Sequence, residues 1–284
     1  MENMKREESA ITLEEIKSKN GDNDEAAIEN RVATYHFGLK RYRAQENGDC
    51  GYDAAVLPKW FNEEMFERAK ILARKHFMAL MFTHLCGLYL LVFMKPIFNV
   101  LASTGQSKNI SCLFRRYFRT LKHVKIWYEG NVWDFHDDAS KSIAMVRAMH
   151  KQVAHKCNKN NSREEVFISQ RDMVYTQFAF IGLLILYPRR FGFTLNEYDL
   201  KCIVHFWACI GYLLGIDDKC NLFASENLLE IRSICDRILD DMKCYASEEQ
   251  SEEMKRMADG IIIGVNTFVP CLQRVSKLSL SLND

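Results

Sequence analysis

The chain has 284 residues, with 38 lysines and arginines against 37 acids and a net charge of +1. No whole-molecule field therefore marks it for nucleic acid. Nearly half the residues are apolar and only four are proline, which excludes a wholly disordered chain and suits long helices better than many short strands. The ten cysteines show neither a C-x-x-C pair nor a regular framework, so they read as reduced thiols.

Residues 1–30 are charged and polar, ending near Asn20-Gly-Asp-Asn-Asp24. They read as a mobile tail with a transient helix at Leu13–Lys19, ahead of one all-α domain over 31–284. No signal-peptide core or arginine-rich transit pattern is present in them. Leu57-Pro-Lys-Trp-Phe-Asn-Glu-Glu64 predicts a helix entry capped by Asn62. Phe77–Met94 then carries one ionisable residue, His84, in eighteen, at the lower length limit for a membrane span. His84 in mid-span and the stop at Lys95-Pro96 favour the other reading, a core helix buried on all sides.

After a loop at 104–109, Leu113, Tyr117, Leu121, Val124 and Tyr128 mark one helical face, ended by Gly130. Asp137 and Asp138 stand at a helix start, followed by the stripe Ile143, Val146, His150, Val153 and Cys157. Ser169–Asp172 resembles a capping box before an apolar run that Pro188 ends. Thr194–Glu197 predicts a second box, for a helix closing near Gly215. Gly211 and Gly215, four apart, suggest close helix packing. Further helices are expected over 227–244 and 249–257, with an apolar stretch at 261–272. There is no internal repeat and no alternating strand, so the expected class is all-α, a bundle of long helices.

From Arg68 to Tyr128 there are eleven lysines and arginines and no acid. Either acids from other helices meet them, or an anionic ligand does. Arg116, Arg119 and Thr120 fall at i, i+3 and i+4 on one helical face, roughly 60° round from the Tyr117 stripe. Two guanidiniums beside a hydroxyl suit a carboxylate, although most such faces are simply solvated. His150 on its apolar stripe is open to two readings, a packed core imidazole or an axial ligand of haem iron. His136 among Asp134, Asp137 and Asp138 reads as a solvated helix start rather than a metal cluster. Zinc-hydrolase, di-iron, phosphate-loop and nucleophile-elbow motifs are absent.

Five pieces in order resemble one family. They are Leu57-Pro-Lys-Trp-Phe61, Arg116-Tyr-Phe-Arg-Thr120, Val146-Arg-Ala-Met-His150, Ile168-Ser-Gln-Arg-Asp172 with its continuation to Phe178, and the run from His205 to Asp217. The family is that of the haem-dependent rubber oxygenases (latex-clearing proteins), together with fungal ER-bound oxygenases that cut a terpenoid side chain. The resemblance covers roughly 57–222. It implies a globin-like all-α fold holding haem b, with His150 as the proximal iron ligand and Arg116 and Thr120 as pocket residues. Arg119 falls where rubber oxygenases carry a lysine that can cap the iron. An arginine does not readily give up its proton to a metal, so a hydrogen-bonding role is expected instead. The family's upstream glutamate, a candidate base, has no counterpart between Glu67 and Glu129.

The expected function is thus a haem-dependent oxygenase that adds O2 across a C=C bond of an isoprenoid or lipid-like substrate and cleaves it. The alternative is a haem or lipid carrier or sensor with the same pocket. The expected setting is cytoplasmic or peripheral to the ER membrane, with association at a membrane surface.

Overall fold

A computed structural model describes residues 22–105, 109–159, 161–162 and 164–266, and every regular segment among them is helical. Among the described residues there are ten α-helices: α1 (Asp22–Arg41), α2 (Glu63–Lys75), α3 (Phe77–Leu91), α4 (Lys95–Ser103), α5 (Ile110–Glu129), α6 (Asp138–Asn158), α7 (Gln170–Leu186), α8 (Glu197–Leu213), α9 (Leu228–Ser247) and α10 (Glu252–Asn266). The all-α class is therefore correct. The polar character of 22–30 does not keep that stretch unstructured: it forms the first half of α1. Arg31 reaches Glu230 (3.1 Å), His36 and Lys40 both bind Asp241 (2.7 Å each), and Ile28, Val32 and Leu39 are buried on the core side of the helix. The helix expected at Leu13–Lys19 and most of the stretch 261–272 lie outside the described residues.

Most helix starts follow their sequence signals. Asn62 accepts from Met65 N at 3.0 Å, Asp137 accepts from Ala139 N at 2.7 Å, and Ser169 and Asp172 form a reciprocal capping box. Each such cap satisfies amides that the first turn leaves unpaired and contributes about 1 kcal/mol. One start differs. The cap of α8 is Asn196, accepting from Asp199 N at 2.8 Å, not Thr194. Asparagine is the stronger cap, and acids then occupy the first turn at Glu197 and Asp199.

The centre of the molecule is the pair α7 and α8. Nearly every residue of both is buried, which is why neither shows a clean apolar stripe. Around them, α3 packs on α7, α2 on α8, α9 on α7 and α1, and α5 against α2, α6 and α10. The approach of α3 to α7 depends on Gly87, where a Cβ would stand 1.7 Å from the carbonyl oxygen of Ala179. Gly211 serves likewise, because the Gln177 side chain occupies the place of its missing Cβ. The Gln177 amide donates to Trp207 O (2.9 Å) and Asn221 Oδ1 (3.0 Å).

No single helix among the described residues is long and apolar enough to cross a membrane. The apolar stretch is α3 followed by α4, bent by 97°. Pro96 does not merely end a helix; it opens α4 at a first-turn position where its missing N–H costs nothing. Nor is α3 buried all round. Leu80, Thr83, His84, Gly87, Leu88 and Leu91 face the core, while Met78 is 70% exposed.

Candidate functional site

Helix α6 carries Ile143 and Val146 into the core, and the same face continues through Arg147, His150 and Ala154 to a cleft. The opposite wall is the segment Asn47–Asp49, and Ile168, Met173 and Leu214 close the end. The free space in the cleft is about 10 Å³, room for about one water. Two ion pairs clamp α6 to this wall: Arg147 grips both oxygens of Asp49 at 2.7 Å, and Lys151 reaches it at 3.1 Å. Arginine, lysine and the Gly51 amide together hold the Asp49 carboxyl at about 2, against the upward push of burial.

The wall itself is tightly made. Gly48 N donates to Ile168 O at 2.9 Å, and a Cβ on Gly48 would meet that oxygen at 2.4 Å. Ile168 has φ +55°, a left-handed conformation that costs a β-branched residue of order 1–3 kcal/mol. Surrounding bonds hold it there: Gln170 N donates to Glu46 O, and the Gln170 amide donates to Asn47 O and Gly215 O, each at 3.0 Å.

Into this cleft His150 projects with its Nδ1 buried and without a hydrogen-bond partner among the described residues. Burial pushes its pKa down to about 4, with Asp49 pulling weakly the other way. The imidazole is thus neutral at physiological pH and keeps a lone pair for a ligand. His84 makes the contrast. It is equally depressed, to about 4, but its Nδ1 donates to Phe180 O at 2.5 Å and its Nε2 faces the Tyr128 hydroxyl at 3.4 Å. His84 is a satisfied core residue.

Arg116, Arg119 and Thr120 stand on α5, which packs beside α6 through Ser142. The Ser142 hydroxyl meets His123 Nδ1 at 2.7 Å and accepts from Trp127 Nε1 at 3.0 Å. The short link at 130–137 makes the two helices antiparallel. Arg116 lies seven residues before His123 and His150 eight after Ser142. At about 1.5 Å per residue, both sit roughly 10–12 Å along the same direction from that contact. Their bonds go elsewhere, however. Arg116 donates to Leu101 O and Thr104 Oγ1 at 3.0 Å each, and burial lowers its pKa. Thr120 Oγ1 turns to Arg116 O (3.3 Å), and the exposed Arg119 gives its Nε to Arg115 O (3.3 Å).

Acids from outside the acid-free window meet several of its cations. Arg68 pairs with Asp199 at 2.8 Å, Lys95 with Glu248 at 2.5 Å, and Lys70 and Lys125 with the bordering Glu67 and Glu129. Among the described residues no cluster of three or more His, Cys, Asp or Glu could hold a bare metal ion. The backbone amide of His136, just before α6, donates to Asp134 Oδ1 at 2.9 Å.

Asp49 has no place in the sequence reading, and Ile168 and Tyr117 appear there only as a family piece and a stripe residue, not as a strained wall and a buried hydroxyl that lacks a partner among the described residues and is pushed up to about 12. The turn-forming run Gly48-Asp-Cys-Gly51 signals a loop, but nothing local says what that loop covers.

A model of the family described as "ER-bound oxygenase mpaB/B'/Rubber oxygenase, catalytic domain" matches residues 73–263. The solved structure of latex clearing protein LCP in the closed state superposes with a TM-score of 0.56 at 15% identity, covering 86% of this chain and 68% of that one. At that identity the likeness concerns the fold. No curated protein matches the sequence.

Proposed function

The chain belongs to the family of ER-bound oxygenases and rubber oxygenases, and from that premise we propose that it is a haem-b-dependent oxygenase with His150 as its iron ligand. The reaction proposed is addition of O2 across a C=C bond of an isoprenoid or lipid-like substrate, followed by cleavage to carbonyl products. The observation that carries the reading is the neutral imidazole of His150, unpartnered at Nδ1, in a cleft with a strained wall on the family-matched segment.

The donor set fits haem: an imidazole for the iron, and Arg116 and Arg119 as cations for its propionates. The space does not fit as it stands: about 10 Å³ is far below the roughly 300 Å³ at which small-molecule pockets begin, so haem binding requires α6 and the Asn47–Asp49 wall to part. Bound haem would supply the oxygen chemistry. The protein's part is to hold the imidazole neutral and oriented through the α6 clamp at Asp49, and to offer hydrogen bonds from Arg119 and Thr120. Arg119 retains its proton and therefore donates rather than ligates. Asp49 is a poor base, since two cations hold it at about 2.

A non-catalytic haem or lipid carrier is the second reading. It is favoured by the absence of any acid between Glu67 and Glu129, where the resemblance leads one to expect a base. Purification with adequate haem tests the first step. A Soret band is expected, lost or severely reduced in His150→Ala; no band in the wild type sinks both haem readings, and an unchanged band in the variant sinks the ligand. Oxygen uptake with polyisoprenoid, terpenoid and unsaturated-lipid substrates then separates the two. Uptake above a haem-free control supports the oxygenase, and none supports the carrier.

A further inference from the structure

His150 presents a problem of access. Its Nδ1 is buried without a partner among the described residues, and the free space in its cleft is about 10 Å³. A ligand reaches that nitrogen only when one side of the cleft withdraws, and the two sides are held very differently.

The wall is fastened to the core by its backbone. Val166 N donates to Ala44 O, Gln170 N to Glu46 O and Arg171 N to Arg43 O, at 2.9–3.1 Å. Gly48 N donates to Ile168 O and Cys50 N to Gly215 O, both at 2.9 Å. Asp49 itself is pressed against Gly215, where a Cβ would stand 2.8 Å from the Asp49 Cγ. A ladder of this kind opens cooperatively or not at all.

Helix α6 meets the wall through one group. Among the described residues, every hydrogen bond and ion pair between the segment 43–51 and α6 ends on the Asp49 carboxylate. Its partners are Arg147 Nε and Nη2 at 2.7 Å and Lys151 Nζ at 3.1 Å. Asp49 and Arg147 are only 8% and 11% exposed, so salt screens their pair little, and breaking it leaves a buried charge uncompensated. Fixed points lie on either side of this stretch of helix. Ser142 bonds His123 and Trp127, and Asn158 bonds both the N–H and the C=O of Phe167. Between them Ala148, Met149, Lys151 and Gln152 are exposed, so nothing among the described residues stands outside these turns.

We propose that the Asp49 carboxylate is a latch on this site: the turns of α6 from Arg147 to Ala154 swing off the wall only when Arg147 and Lys151 release it, and that release sets the rate at which a ligand reaches His150. The ligand's part of this rests on the function proposed above; the latch itself does not.

Hydrogen exchange of the haem-free full chain, resolved by peptide, tests the latch. Asp49→Asn keeps the size of the side chain and removes its charge. Amides of 147–157 should then exchange about tenfold faster or more, while those of α7 and α8 keep the wild-type rate. Unchanged exchange in α6 overturns the proposal. If Asp49→Asn loosens α7 and α8 as well, Lys151→Ala decides, because that side chain is 57% exposed and its loss weakens the latch without touching the core. Faster exchange confined to α6 then supports the latch, and none overturns it. Stopped-flow mixing with haemin reads access. In the wild type the rate of Soret growth should level off as haemin rises, because opening precedes binding, and the plateau should stand about tenfold higher in Asp49→Asn. A rate that climbs linearly and equally in both proteins overturns control of access by the latch. No Soret band in either protein, with α6 exchange raised as expected, supports the latch and removes the haem reading instead.

Discussion

The central pair α7 and α8 and the outer pair α5 and α6 differ in how deeply they are buried and in what their polar groups face. In the centre most buried polar side chains are given partners, although Arg171 Nε, Asp172 Oδ1 and Gln177 Oε1 have no hydrogen bond among the described residues. Trp207 donates to Tyr128, Tyr128 faces His84, His84 donates to Phe180 O, and Gln177 and Asn221 bond carbonyls of α8. In the outer pair, His150 Nδ1 and Tyr117 Oη are buried without partners, and Met145, Met149 and Phe118 stand exposed. A buried polar group left unpaired costs about 1–3 kcal/mol. Such costs persist in folded proteins mainly where function needs the group free. Both pairs carry such costs; what sets the outer pair apart is that its unpartnered imidazole lines a cleft.

The comparison breaks first if the centre tolerates truncation. Trp207 is 1% exposed, stacks on Phe180 at 4.6 Å and donates to Tyr128 at 2.7 Å. Trp207→Ala should cost about 3–5 kcal/mol, a large part of a typical domain's stability, read as the shift in urea midpoint. A cost below about 2 kcal/mol would mean that the centre is loosely packed. Next comes Gly87→Ala. Its Cβ would overlap the backbone of Ala179, so α3 must move off α7, at about 3 kcal/mol. A neutral effect would mean that the two helices are not in that contact.

The scaffold was the more legible half, for a physical reason. Caps and helix stripes are local, so Asn62, Asp137, Ser169 and the Leu113–Tyr128 face could be read from neighbours within a few positions. The pieces shared with the family also prove to be largely scaffold. Trp60 packs edge-on to His205 and donates to Asp218, and Gln170 ties the Asn47 segment to Gly215 and Asp217. Stripes failed where burial is complete, on α7 and α8, because a helix buried all round has no polar face to set the period. At α1 the partners of Arg31, His36 and Lys40 stand about two hundred residues away, beyond the reach of any local signal. The wall of the His150 cleft was invisible for the same reason, since Asp49 and Ile168 meet α6 only after the chain has turned back several times. Arg116 and Thr120 stand on the helix that the Leu113–Tyr128 stripe predicts. Their present bonds, to α4 and to their own backbone, follow from side-chain directions that spacing does not encode.

Acid separates the two regions less sharply, and sharpens the comparison for that reason. His84 in the centre and His150 in the cleft are both held at about 4 by burial, against an unfolded value of about 6.5. Below pH about 6.5 the unfolded chain takes up protons that the folded one refuses, so stability falls as pH drops toward about 4. Each ring contributes at most about 3 kcal/mol of that fall. Asp49 and Asp241, both held at about 2, act lower. Their stabilisation is complete above the unfolded carboxylate value of about 4 and is lost as pH falls from there toward 2. Urea midpoints between pH 7.5 and 4.5 (roughly the histidine window) should fall steadily in the wild type, with a shallower slope in His150→Ala. Equal slopes would show that His150 is already solvated and protonates freely.

The smallest effect is the most informative. In haem-free protein at neutral pH, His150→Ala breaks no side-chain hydrogen bond among the described residues and relieves one unpartnered nitrogen, while it opens a small space in a cleft that already exists. Lost packing and relieved desolvation nearly offset, so the urea midpoint should move by less than about 1 kcal/mol in either direction. The same truncation at His84 would orphan a core carbonyl and open a closed cavity, and should cost several times more. A histidine that contributes nothing to the empty fold, set beside one that the fold requires, is what a ligand position looks like in thermodynamic terms. If His150→Ala instead costs as much as His84→Ala, then His150 is a packing residue, and the outer pair is scaffold as well.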